Sequence, residues 1–321
     1  MGAKFQKLFL AISAIALLAA LPACNLDSAR EKPSPKNIAK SERANNNSNS
    51  FTLAQRELLA ILQLQKNFEL DCKAKKLGES EKQGRLSEIE KRWAAYMLEN
   101  NSDTTSLILF GKFLKSNKND ADARLVFERA DKLDPNIAVV KQQLATFEAE
   151  RKNFASAYDY ILKACELEPQ TAVYHYQLGD LIYFGGTIIA QKRLISKEYL
   201  ERQMLEAFKK AANLDKANDK FLTRYAQIFY DVSNPNWAEA MAAWREVLKN
   251  SKDPLARENA LLNMAQVAIE TSDFNSAEEF LKQVVLPDFN AQKAHIERRL
   301  KKLREKSAET NTNLTSQSIT K

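Results

Sequence analysis

The sequence predicts an all-α protein, and two observations lead to this prediction. The 321-residue chain holds only 7 Gly and 8 Pro, too few turn-forming residues for a protein built from many short strands. Two similar six-residue sequences, each ending in proline, occur at Ala130–Pro135 and Ala164–Pro169. They lie 34 residues apart, which is the period of a helix–turn–helix repeat. With 45% hydrophobic residues, the chain has enough apolar material to bury a core.

The first 23 residues are typical of an export signal. Two lysines precede the apolar run Leu8–Ala23, which is short for a membrane span but suits the hydrophobic part of a signal peptide. The run ends in Leu-Pro-Ala before Cys24 and so resembles the lipobox of bacterial lipoprotein precursors. The resemblance implies that residues 1–23 are removed and that Cys24 is lipidated; a transmembrane anchor and an ordinary cleaved signal remain the alternatives.

Residues 24–50 then form a lipidated cysteine and a tether predicted to be disordered. The segment is rich in Lys, Pro, Ser and Asn and holds few residues that could pack. Its r.m.s. reach is roughly 30 Å. In the lipoprotein family, Asn25 rather than Asp after the lipidated cysteine implies an outer-membrane location facing the periplasm.

Five segments, beginning at Thr104, Ala138, Ala172, Asp219 and Glu258, share one pattern of small and bulky residues. In the first segment, the positions of the pattern are occupied by Leu107, Phe110, Gly111, Leu114, Ala123, Phe127, Ala130 and Pro135. This pattern resembles the tetratricopeptide repeat (TPR) family. The resemblance implies a right-handed α-solenoid of TPR helix hairpins, in which residues 104–289 form five repeats and the small residues let neighbouring helices approach.

The third repeat departs from the pattern. Its second helix signature, Met204, Phe208 and Ala211, arrives thirteen residues late, which predicts an insertion at about 184–197 between its two helices. The insertion begins with the flexible pair Gly185-Gly186. We expect either a binding loop or an element that folds back on the repeats.

The segments that flank the repeats have distinct predicted roles. Residues 51–103 are interpreted as a degenerate leading helix pair, whose second helix opens at a capping box on Ser87 and carries Trp93. Residues 290–306 are predicted to form a basic capping helix, since Lys293–Lys306 has a net charge of +5 beside a narrow apolar stripe. Anionic lipid or cell-wall polymer is an alternative partner for that helix. Residues 307–321 are predicted to be a disordered tail.

The TPR resemblance also implies a binding groove on the concave side, lined by the first helix of each repeat. The corresponding residues are Lys112, Gln142, Tyr176, Asp180, Tyr183, Lys220, Arg224, Gln227, Tyr230, Asn259 and Gln266. Amides, tyrosines and single charges suit hydrogen bonding to a peptide. Lys220 and Arg224 match part of the clamp with which some TPR proteins bind a C-terminal carboxylate, but the preceding repeats do not match it. A solvated, unused surface is the alternative.

The sequence therefore predicts a membrane-anchored scaffold or adaptor in a bacterial cell-envelope assembly, with a protein or peptide partner. Two His and three Cys without a CxxC spacing give no basis for a metal site, and no catalytic motif or cofactor is expected. Nucleic acid is not an expected partner. The alternative function is a glycan-binding protein or a regulator of a cell-wall enzyme, favoured by the aromatic set Tyr176, Tyr183 and Tyr230.

Overall fold

A computed structural model describes residues 51–319 of the chain, with side chains described up to Ser307. This part contains thirteen α-helices, one short 3₁₀ helix at Pro287–Phe289 and no β-strand. The helices are α1 (Leu53–Lys73), α2 (Glu79–Glu99), α3 (Thr104–Ser116), α4 (Asp120–Leu133), α5 (Ala138–Glu150), α6 (Phe154–Leu167), α7 (Ala172–Arg193), α8 (Lys197–Leu214), α9 (Asp219–Ile228), α10 (Trp237–Asn250), α11 (Pro254–Glu270), α12 (Phe274–Lys282) and α13 (Asn290–Ile319). The predicted signal peptide, lipidation site and tether lie outside the described residues.

Each helix packs against its neighbours in the sequence, so the fold is an all-α solenoid of helix hairpins. The pair α1–α2 is followed by the hairpins α3–α4, α5–α6, α7–α8, α9–α10 and α11–α12, and α13 packs on α11 and α12. None of the helices in the described region is long and apolar enough to cross a membrane.

In two of the hairpins, α3–α4 and α7–α8, a glycine of the first helix faces a phenylalanine of the second. A Cβ atom added at Gly111 would lie 2.8 Å from the Phe127 ring, and one added at Gly179 would lie 2.7 Å from the Phe208 ring. Both phenylalanines are completely buried. Glycine is therefore required by the close approach of the two helices.

The leading pair shares its core with the first repeat, because Trp93 is completely buried and its ring stacks on Phe110 at a centroid distance of 5.4 Å. The helix start predicted at Ser87 is wrong: α2 begins eight residues earlier, at Glu79, after Gly78. The additional turns are held to α1 by an ion pair between Arg85 Nη1 and Asp71 Oδ2 at 2.8 Å.

The predicted insertion at 184–197 is not a separate element between two helices. Helix α7 continues without a break to Arg193, and three residues connect it to α8. A Cβ atom at Gly185 would lie 2.5 Å from the Phe154 ring of α6, and Ile189 is completely buried. Packing against α6 therefore keeps the glycine pair helical. Compared with the preceding hairpin, α7 is longer by about two and a half turns and α8 by about one turn.

The basic helix α13 covers the last hairpin with Ile296 and Leu300, which are buried against α11 and α12. Arg299 pairs with Glu270 at 2.7 Å, and Arg304 pairs with Glu278 at 3.0 Å. The segment 307–321 was predicted to be a disordered tail, but the structure has it in helix α13 as far as Ile319. No Pro or Gly occurs between Asn290 and the end of the chain to stop it.

Candidate functional site

Polar side chains join α5 to α7 on the face formed by the first helix of each hairpin, which we call the A-helix face. The Gln142 amide donates hydrogen bonds to Gln177 Oε1 at 3.0 Å and to Thr146 Oγ1 at 3.3 Å. Gln143 in turn donates to Gln142 Oε1 at 2.7 Å. These four side chains form a network that fixes the two helices relative to each other.

An ion pair joins α7 to α9 on the same face. Arg224 Nε lies 3.4 Å from Asp180 Oδ1. The guanidinium carbon of Arg224 also lies 4.2 Å from the centroid of the Tyr183 ring and 4.9 Å from that of Phe208. Arg224 is only 6% exposed, and its Nη1 and Nη2 atoms have no hydrogen-bond partner among the described residues.

Burial shapes the electrostatics around this ion pair. It raises the pKa of Asp180, and the positive charges of Arg224 and Lys220 oppose that shift. Burial also lowers the pKa of Lys220, against the attraction of Asp180. The pKa of Tyr183 is raised by burial and by the charge of Asp231. Asp180, the ion-pair partner of Arg224, is thus partly desolvated, which strengthens electrostatic interactions at this point of the face.

Tyr230 joins the end of α9 to α11. Its hydroxyl donates to the Asn263 carbonyl oxygen at 3.0 Å, and its ring lies 5.5 Å from that of Trp237. The Asn263 amide donates to the Asn259 carbonyl oxygen at 2.7 Å. The A-helix face is therefore linked by side chains from α5 through to α11.

The predicted groove residues differ in their access to solvent. Lys112, Asp180, Tyr183, Gln227, Tyr230, Asn259 and Gln266 are partly exposed, and Lys220 is exposed. The assignment of Tyr176 to the groove is wrong. This residue is 4% exposed and its ring stacks on Phe221 at a centroid distance of 4.7 Å, so it belongs to the core. Gln142 is also buried, within the amide network described above. Arg224 lies beneath Tyr183 rather than on the open surface.

The sequence reasoning missed two exposed apolar residues next to this site. Phe184 is 55% exposed and Ile188 is 40% exposed; they are one turn apart on α7, and the Phe184 ring lies 5.0 Å from that of Tyr183. Their spacing of four residues indicates two side chains on one face of a helix. That pattern has no such meaning if the segment is an insertion between helices, as expected from the sequence.

The histidine and cysteine side chains that could take part in catalysis or metal binding, His175 and Cys165, are buried in the packed interior. His175 Nε2 lies 3.0 Å from the Pro169 carbonyl oxygen, and burial lowers the pKa of its imidazole. Burial raises the pKa of the Cys165 thiol to about 12, and neither Cys72 nor Cys165 is in a disulfide. Within residues 51–307, no group of three or more His, Cys, Asp or Glu side chains is arranged to hold a metal ion.

The fold of this chain is similar to those of several solved protein structures. No protein-family model matches the sequence, and no curated protein matches it. The crystal structure of YrrB, described as "a TPR protein with an unusual peptide-binding site", aligns with 64% of this chain and 97% of its own at 15% identity and a TM-score of 0.51.

Two further solved structures are similar at lower TM-scores. PilF of Pseudomonas aeruginosa aligns with 77% of this chain and 99% of its own, at 14% identity and a TM-score of 0.48. PilW, described as a "widely conserved type IV pilus biogenesis factor", aligns with 70% of this chain and 92% of its own, at 11% identity and a TM-score of 0.45. On the similarity to YrrB, the described part of this chain folds as an all-α solenoid of the kind found in TPR proteins.

Proposed function

We propose that this protein is a lipid-anchored interaction scaffold in a bacterial cell-envelope assembly, which binds a peptide or a helix of a partner protein along the A-helix face. The observation that carries the proposal is the A-helix face from α5 to α11, on which side-chain contacts join the first helices of successive hairpins and polar residues such as Gln227, Asn259 and Gln266 stay partly exposed. Repeat solenoids use such continuous surfaces to bind extended segments of other proteins. YrrB, which has a similar fold, is described as having a peptide-binding site.

The anchor is proposed from the sequence. Diacylation at Cys24 would give a stable membrane attachment, because two or more acyl chains bind far more tightly than one. The segment up to Ser50 would then hold the repeats off the lipid headgroups. The proposed location is the outer membrane, facing the periplasm, and the scaffold is proposed to have no catalytic activity of its own.

A glycan-binding role is less well supported than a protein-binding role. It depends on exposed aromatic rings, and of the three tyrosines that suggested it, Tyr176 is buried in the core. Tyr183 and Tyr230 remain partly exposed, but each already contacts protein groups.

Site-specific photocrosslinking tests the proposed surface. A photoreactive amino acid would replace Gln227 or Gln266 on the A-helix face, with Leu125 as the control, because Leu125 lies on the second helix of a hairpin and is 56% exposed. We expect discrete protein adducts from the two glutamine positions in native membranes, identified by mass spectrometry. Equal adducts from Leu125, or none from either glutamine position, would contradict the proposal.

The anchor needs a separate test. Cells that produce the wild-type chain or Cys24→Ser would be labelled with an alkyne-bearing fatty acid and fractionated. We expect label and membrane association for the wild type and neither for the variant. Retention of label by Cys24→Ser would show that the acyl group is attached elsewhere and would refute lipidation at Cys24.

A further inference from the structure

A second groove lies between α8 and α10, the second helices of two successive hairpins. Its volume is about 460 Å³, which is within the size range of small-molecule sites. It is lined by Tyr199, Arg202, Gln203, Leu205, Glu206, Lys209, Tyr225 and Glu239. Most of the members on α8 recur every three or four residues, so they form one stripe of roughly 15 Å along that helix.

Hydrogen bonds hold one side of this groove in place. The Tyr225 hydroxyl donates to Glu239 Oε1 at 2.6 Å, and Lys209 Nζ donates to the same oxygen at 2.8 Å. These bonds from Lys209 and Tyr225 lower the pKa of Glu239, and the bond to Glu239 raises the pKa of Lys209. Both groups therefore stay charged at neutral pH. The second carboxylate oxygen of Glu239 can accept a hydrogen bond from a ligand.

The side formed by α8 offers donors and an aromatic surface. Gln203 Oε1 accepts a hydrogen bond from the Tyr158 hydroxyl at 2.6 Å, which leaves the two N–H donors of Gln203 for a ligand. Tyr199 is 48% exposed. The rings of Tyr183 and Tyr230 on the A-helix face each pair with another ring, whereas no ring pair in the described region includes Tyr199. Part of its ring is therefore open to a ligand.

The charges that line the groove balance. They are two cations, Arg202 and Lys209, and two anions, Glu206 and Glu239. Asp159, which is close enough to influence Tyr158, is itself paired with Arg193. A ligand with a net charge would therefore gain little attraction at this position.

These features fit a saccharide better than a peptide. The hydroxyl groups of a saccharide both donate and accept, so they can use the carboxylates and the N–H donors of the groove together. Its C–H groups can pack on an exposed aromatic ring. A peptide segment would need apolar pockets for its side chains, but among the described residues that line this groove only Leu205 is aliphatic.

We propose that the groove between α8 and α10 binds a neutral saccharide, which packs on the ring of Tyr199 and forms hydrogen bonds with Gln203, Glu206 and Glu239. This site is separate from the A-helix face and does not depend on the function proposed for it. It also provides the open aromatic ring that the tyrosines of the A-helix face do not offer to a glycan. One chain can therefore hold a partner segment and a glycan at the same time.

The test begins with an array of neutral and charged oligosaccharides, probed with the full chain solubilised in detergent. We expect the strongest signals from neutral oligosaccharides, and the best of these would be titrated by calorimetry. Raising NaCl from about 0.05 to 0.5 M should change its Kd by less than about twofold, because salt screens attraction between charges and the ligand has none.

Substitutions then locate the bound saccharide. Tyr199→Ala should weaken binding by about 5- to 30-fold, whereas Tyr199→Phe, which keeps the ring, should stay within about twofold of the wild type. Glu206→Gln should weaken binding by about 3- to 10-fold, since a neutral acceptor is weaker than a charged one. Tyr160→Ala, at a partly exposed tyrosine on α6, is the matched control and should bind as the wild type does.

Thermal unfolding separates a lost contact from a lost fold. Tyr199 and Glu206 are both exposed, so their variants should unfold at the temperature of the wild type. Signals from charged glycans alone, no signal from any saccharide, unchanged affinity of Tyr199→Ala, or an equal loss in Tyr160→Ala would each overturn the inference. The proposed function is judged separately, by the crosslinks from Gln227 and Gln266.

Discussion

The hairpins α5–α6 and α7–α8 begin in the same register but connect their helices differently. Helix α5 has 13 residues and is followed by Lys152, whose φ of 62° makes the turn into α6. Helix α7 has 22 residues, ends at Arg193 and is followed by Leu194, whose φ is 54°. The residue 34 positions after Lys152 is Gly186, so α7 continues through the point at which the preceding hairpin turns.

The difference shows that packing outweighs local preference at this position. Glycine is the residue best suited to a left-handed turn, yet none of the glycines in the described region has a positive φ. Gly185 lies against Phe154, and Ile189 is completely buried; both contacts would be lost if the chain turned at Gly186. The burial of Ile189 is worth about 1.5–3 kcal/mol, which offsets the helix penalty of roughly 1 kcal/mol for each of the two glycines, and the packing of Gly185 on Phe154 adds to it.

The largest effect is expected from alanine at the two adjacent glycines. Gly185→Ala should destabilise the protein by about 1–3 kcal/mol, because the new Cβ would overlap both the ring and the Cβ of Phe154. Gly186→Ala should instead stabilise it by about 0.5–1 kcal/mol, since its nearest neighbour would lie at 3.9 Å and alanine favours a helix.

Urea unfolding of the two glycine variants checks this pair, and each serves as the other's control. Stabilisation by both substitutions would mean that the α7 extension does not pack on α6. Destabilisation by both would mean that Gly186 has a backbone role that a helix does not explain.

A smaller effect is expected at the residue that ends α7. Leu194 has a positive φ and is 93% exposed, so Leu194→Gly removes a conformational cost of about 1–2 kcal/mol while losing little packing. The greater entropy of glycine in the unfolded chain offsets part of the gain, which leaves a stabilisation of up to about 1 kcal/mol. Thermal unfolding would measure it, with Lys152→Gly as the matched change in the shorter hairpin; a loss of stability in Leu194→Gly alone would contradict this account.

The smallest effect concerns pH and His175, which opens the same hairpin. Because burial lowers the pKa of folded His175 below its ordinary value of 6.5, the neutral imidazole contributes stability above that value. This contribution is lost as the pH falls below 6.5 toward the folded pKa. His175→Gln should therefore lose less thermal stability than the wild type between about pH 7.5 and pH 5. His295→Gln, on the exposed side of α13, is the control, and an unchanged slope for His175→Gln would refute the prediction.

The regular repeats could be predicted from the sequence because their constraints are local. Small residues such as Gly111 and Ala145, and bulky ones such as Phe127 and Ile161, recur 34 residues apart in the first two hairpins, and each hairpin buries them. The candidate site could be predicted only in part. Asp180, Lys220 and Arg224 were found from their repeat positions, but Tyr176 was assigned to the groove although its ring stacks on Phe221 in the core. The position of a helix residue in the pattern does not show which neighbour covers it.

The sequence by itself determined the helical class, the 34-residue period and the starts of α3, α5, α7 and α9, because helix hairpins of one length must repeat the same small and bulky residues to stack. The tertiary structure alone decided where α7 ends, where α2 begins, and that Arg224 is left with unpaired donors beside an exposed apolar pair. These features depend on contacts between helices distant in the sequence, such as Gly185 with Phe154 and Arg224 with Tyr183. No spacing within a single repeat encodes those contacts.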